Sequence, residues 1–81
     1  MKAFLTENLQ KIIEHALDRE LETFSLNDRL FDELGMDSMG AALMMVEIEK
    51  ATGIRISEIE VERLRTGKDI MALIETRSHV H

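Results

Sequence analysis

The sequence predicts an all-α fold: a small four-helix bundle of three longer helices and one short one, with a long loop between the first and second helices. Three observations predict it. Apolar residues recur at helical spacing in four segments, and side chains three or four positions apart share a helix face. The chain has no Pro, no Trp and no Tyr, and aromatics make up 4%, whereas strands favour aromatic and β-branched residues. A hydrophobic fraction of 44% over 81 residues is enough for one core and argues against disorder, but leaves no room for a second core. One domain over residues 1–81 is expected.

The first helix is expected from an N-cap at Thr6 to about Glu20, with Leu5, Leu9, Ile12, Ile13, Ala16 and Leu17 on one face and Glu7, Asn8, Gln10, Lys11 and Glu14 on the other. Asp18 to Glu22 either extends it or begins the connection. The helical period is lost through Thr23 to Asp28, which reads as loop with Phe24 and Leu26 turned toward the core. Leu30, Phe31 and Leu34 form a short apolar cluster with Asp32 and Glu33 outward, and Gly35 breaks it where the chain needs positive φ or close approach. The whole connection covers roughly residues 21–36, longer than bundles usually need, and long ordered loops tend to carry function.

The second helix is expected from Ser38 to about Thr52, with Asp37 as N-cap and Gly53 as C-cap. Its apolar residues divide into two groups. Ala41, Met44, Met45 and Ile48 share one side, and Met39, Ala42, Leu43 and Val46 lie nearly opposite. A surface helix has one apolar stripe, so the second group is either covered by another element or exposed. After an extended Ile54 to Ser57, Ser57 and Glu60 form a capping box for a short helix that carries Ile59, Val61 and Leu64 and ends near Arg65. The last helix runs from about Lys68 to Thr76, with Thr66 as a candidate cap, Ile70, Leu73 and Ile74 buried and Met71 at the margin. Ser78 to His81 reads as a frayed tail.

Composition excludes several function classes. The net charge is −6, from sixteen acidic against ten basic residues. That balance disfavours nucleic acid, whose binding depends on neutralising phosphates, and suits partners with basic surfaces. No Cys is present, so the chain offers no disulfide, no thiolate nucleophile and no zinc-thiolate site. No apolar run approaches the roughly 20 residues of a membrane span, and Met1 to Leu5 lacks the apolar core and cleavage site of a signal peptide. A soluble, cytoplasmic monomer is expected.

The residue that draws attention is Ser38. Beside Asp37, a carboxylate suited to accept orphan N–H groups, it stands at the first position of the second helix with its hydroxyl at the mouth of a turn. Taken alone, the pair is an ordinary capped helix start. A catalytic serine needs a base oriented by a third group. His15, His79 and His81 are far from Ser38 in sequence, and no Gly-x-Ser-x-Gly elbow is present. The chain is therefore not expected to be an enzyme. His79 and His81 form a His-x-His in the tail, a weak site, and no metal is assigned.

The whole stretch Leu30-Phe31-Asp32-Glu33-Leu34-Gly35-Met36-Asp37-Ser38-Met39 closely resembles the signature of acyl and peptidyl carrier proteins: an apolar pair, two acidic or polar residues, Leu-Gly, a variable residue, Asp-Ser, then Leu or Met. The resemblance continues through Gly53-Ile54-Arg55-Ile56 to the last helix and covers nearly the whole chain. It implies that Ser38 is esterified by 4′-phosphopantetheine, donated from coenzyme A by a phosphopantetheinyl transferase. The arm's thiol then carries acyl or aminoacyl groups as thioesters, the only thiol of a protein without cysteine. The same resemblance implies that Asp37 helps the transferase and its metal engage the serine. It also implies a docking surface, expected here to include Met36, Met39, Gly40, Ala42, Leu43, Val46, Glu47 and Ile56, with Met39 and Val46 exposed. Further partners are a cargo-loading ligase or acyltransferase and a downstream acceptor enzyme.

One departure bears on cargo. Bacterial fatty-acid carriers usually place carboxylates two and five residues after the serine, where this chain has Gly40 and Leu43; Glu47 and Glu49 remain, but Lys50 and Ala51 follow. The leading expectation is therefore a dedicated carrier of an aminoacyl or peptidyl group loaded by an adenylate-forming ligase. A specialised acyl carrier for fatty-acid, lipid or polyketide synthesis is the alternative. An unmodified helical adaptor is the alternative of another class.

Overall fold

The structure is a computed structural model that describes residues 4–78. Four helices make the fold: α1 over Thr6–Leu17, α2 over Ser38–Thr52, α3 over Glu58–Val61 and α4 over Gly67–Ser78. Among the described residues no strand forms; the one strand-like pairing is an isolated bridge between Arg29 and Thr66. The core is drawn from every part of the chain. Leu9 and Ile13 of α1, Met44 and Ile48 of α2, Ile70 of α4 and Leu30 from the α1–α2 connection are fully buried, and no polar or charged side chain among the described residues is buried with them. Such burial of apolar surface is the main term holding a domain of this size together.

Helix α1 starts and stops differently from expectation. Leu5, not Thr6, is the N-cap, because the side chain of Asn8 reaches back to accept the Leu5 N–H at 2.8 Å. The helix ends at Leu17, three residues short of Glu20. Asp18 adopts the left-handed conformation (φ 55°), which Asp tolerates better than most residues, and its N–H closes onto the carbonyls of Glu14 and His15. The Glu14 carboxylate then accepts the N–H of Leu21 at 2.8 Å, fastening the outgoing chain to α1.

Residues 18–37 are tied down along their length. Leu21, Leu30 and Met36 are buried, and Phe24, Leu26 and Leu34 pack against the core. The Leu30 N–H donates to Arg65, the Lys68 N–H to Leu26 and the Arg19 guanidinium to Leu34, all to backbone carbonyls. Gly35 takes φ 77°, a left-handed turn that an L side chain resists, and delivers the chain to α2.

In α2, Ala41, Met44 and Ile48 face inward, and Gly53 caps the C-terminus. Helix α3 is shorter than expected. It gives way after Val61 to tighter turns in which Arg63 and Leu64 donate to carbonyls three residues back. Val61 and Leu64 are buried, but Ile59 is 68% exposed. Ser57 Oγ caps the Glu60 N–H, while the Glu60 carboxylate pairs with Arg77 of α4 instead of completing a capping box. Arg77 also donates to the Arg55 carbonyl, so one side chain clamps the end of α4 to the α2–α3 connection. Helix α4 is longer than expected at both ends. The Asp69 carboxylate accepts the N–H groups of Arg65 and Thr66, and Thr66 Oγ1 accepts that of Asp69. Ser78, expected in a frayed tail, is the last helical residue; His79 and His81 lie outside the described residues.

Candidate functional site

Asp37 and Ser38 open α2 as the sequence predicts. Asp37 is the N-cap: its backbone is extended, its Oδ1 accepts the Gly40 N–H at 2.7 Å, and its carbonyl accepts the Ala41 N–H. Ser38 and Met39 follow as exposed residues of the first turn. Their N–H groups have no protein acceptor among the described residues, as the first donors of a helix ordinarily do not. An anion at this position meets two free donors and the positive end of the helix dipole.

The Ser38 hydroxyl differs from those of the other serines. Ser25 Oγ accepts the Asn27 N–H, Ser57 Oγ accepts the Glu60 N–H, and Ser78 Oγ donates to the Ile74 carbonyl. Ser38 Oγ has no such partner among the described residues. Nor is it paired with a base among the described residues: His15 directs Nδ1 to Glu47 Oε1 at 2.6 Å.

Three residues expected on the docking surface are in the interior. Met36 and Ile56 are 5% and 4% exposed: Met36 follows the left-handed Gly35, and Ile56 lies in the link between α2 and α3, packed into the core. Gly40 is buried against the end of α1. Glu47 is partly covered: it is paired with His15, and its Oε2 is buried without a protein partner. The remaining expected residues form an outward strip on α2. Met39 is 80% and Val46 49% exposed, Ala42 is exposed and Leu43 half-buried. Val46 lies seven positions after Met39, about two turns along one helix face. Ile59 is a further exposed apolar residue, which the sequence pattern assigned to a helix carrying buried positions. The strip carries no carboxylate, and the Glu49 carboxylate further along α2 is paired with Arg55 at 3.6 Å. Among the described residues no group of acidic, His or Cys side chains could hold a metal ion.

A surface of this kind can present a group, and among the described residues no base stands paired with its serine. Residues 7–74 match the family described as "Phosphopantetheine attachment site", and the chain belongs to that family of phosphopantetheine-dependent carrier proteins. Among its relatives are the acyl carrier proteins of Phytoplasma australiense, 28% identical over 69 residues (85% of this chain, 91% of the relative), and of Onion yellows phytoplasma, 31% identical over 68 residues (84% and 90%). The acyl carrier protein of Exiguobacterium sibiricum is 29% identical over 70 residues (86% and 89%). The protein is a carrier and not a catalyst, its prosthetic group is covalent phosphopantetheine, and such carriers work with a phosphopantetheinyl transferase and with synthase enzymes. The unmodified adaptor is thereby set aside. No described helix is long and apolar enough to cross a membrane.

Proposed function

We propose that Ser38 is the residue that carries 4′-phosphopantetheine, and that the Met39–Val46 strip is where partner enzymes dock. The observation that supports it most is that Ser38 has the one serine hydroxyl free of protein partners among the described residues. It is exposed and stands beside two unused N–H donors. Those donors, from Ser38 and Met39, would hold the phosphodiester. Asp37 keeps the turn closed through Oδ1 and engages the transferase and its metal with its other oxygen. When bound, the group supplies a thiol on a flexible arm, and the thiol holds the cargo as a thioester.

Coexpression with a phosphopantetheinyl transferase tests the reading. Intact mass should rise by about 340 Da, one pantetheine phosphate. An unshifted mass, with a known carrier modified in parallel, would sink it.

For cargo, the names of the relatives favour an acyl group, placing a specialised acyl carrier ahead of the aminoacyl carrier. The uncharged strip still favours the second reading, an aminoacyl group from an adenylate-forming ligase. Gly40 no longer counts toward that choice, because an acidic side chain has no room there. Leu43 does count. Leu43→Glu should raise malonyl transfer to the holo-protein by a fatty-acid malonyltransferase by up to about tenfold, the scale of one charge pair across an interface. An unchanged rate means this side of α2 is not the docking surface.

A further inference from the structure

We propose that Gly40 is a positioning residue for the modification of Ser38, an inference that rests on Ser38 being the attachment point. A Cβ on Gly40 would stand 2.8 Å from the Ala16 carbonyl oxygen and 3.3 Å from both Asp37 Oδ1 and Met36 Cγ. The nearest of these atoms is backbone, which cannot swing aside as the end of a flexible side chain can. Helix α1 and the first turn of α2 approach this closely because residue 40 has no side chain.

The contact is made at the turn that carries Ser38. The Gly40 N–H is the donor that Asp37 Oδ1 accepts at 2.7 Å, so the residue pressed by α1 is also the residue that closes the cap. The Ala16 carbonyl belongs to the last turn of α1 and has no N–H donor among the described residues. It therefore sets the negative end of one helix dipole against the positive end of another. Held from below at Gly40 and from the side at Asp37, the turn fixes the backbone that carries the Ser38 hydroxyl. A side chain at residue 40 lifts the turn off α1 and re-aims that hydroxyl relative to the free N–H groups. The absent carboxylate at this position is thus a packing requirement of this chain.

The test compares Gly40→Ala with the wild-type chain and with Ile74→Val, a truncation in α4 that lowers stability away from the site. Initial rates of transfer from coenzyme A by a phosphopantetheinyl transferase are measured over a range of carrier concentrations, below the melting temperature of each variant. Gly40→Ala should lower kcat by about tenfold or more, the cost of a misdirected nucleophile, with KM for the carrier little changed. Ile74→Val should keep the wild-type values. A wild-type kcat in Gly40→Ala, or an equal fall in Ile74→Val, overturns the role of Gly40. Should Gly40→Ala not fold, amide exchange in the wild-type chain decides. The Gly40 amide should exchange more than about tenfold more slowly than that of Met39 in the same turn, and equal rates overturn the proposal. A wild-type chain left unmodified defeats the Ser38 reading itself, whereas a modified wild type beside an unaffected Gly40→Ala defeats only this one.

Discussion

Replacing Ser38 with Ala should abolish the phosphopantetheine adduct completely and leave the fold untouched. The side chain is exposed and its hydroxyl has no protein partner among the described residues, so its removal breaks no contact with the rest of the chain. Ala is the better helix former by a few tenths of a kcal/mol, and the cap is made by Asp37, which remains. Helical circular dichroism and thermal midpoint should match the wild type, with stability within about 0.5 kcal/mol. Intact mass after coexpression should be that of the unmodified chain. A residual adduct on the variant would place the modification elsewhere, and a collapsed fold would give Ser38 a structural part that its surroundings do not suggest.

The opposite outcome is expected on the inner side of the same helix. Ile48 is fully buried in the core with Met44. Ile48→Ala should cost about 3 kcal/mol, from lost transfer energy and the cavity left behind. A domain of 81 residues has about 4–12 kcal/mol in total, so the loss is a large share of the whole. The thermal midpoint should fall by about 10–20 °C, as read by calorimetry or circular dichroism. A fall of only a degree or two would mean that the core is not packed around α2. Together the two substitutions separate the helix into a side that holds the fold and a side that does the work.

How much of this was legible in the sequence depended on how local its causes were. The resemblance told which side of α2 faces outward, and the division itself, Ala41, Met44, Met45 and Ile48 against Met39, Ala42, Leu43 and Val46, was read from helical periodicity, a property of the segment itself. The Asp37 cap was equally local, since an N-cap bond spans only three residues. Helix ends that depart from the usual cap residues are misplaced. Asn8 moved the start of α1 back to Leu5, and the left-handed Asp18 stopped it at Leu17. Glu60 carried a capping-box spacing but found Arg77, seventeen residues away. Sequence spacing does not report such distant partners.

The site shows the same division. Ser38 is proposed from its neighbours and lies exposed at the start of α2; Met39 and Val46 are expected outside and are exposed. Met36 and Ile56 were expected with them, yet both are buried in the core, one after the Gly35 turn and the other in the link before α3. Gly40 carried the least visible signal. In the sequence it is the place where an acid is missing, and only the approach of Ala16 shows that no side chain fits there.

The most direct test is to locate the phosphopantetheine on the modified wild-type chain by tandem mass spectrometry. Ser38 should carry the whole of the adduct, with Ser25, Ser57 and Ser78, whose hydroxyls are engaged with the backbone, unmodified. An adduct on any of those three, or none on Ser38 while a known carrier is modified in parallel, would contradict it.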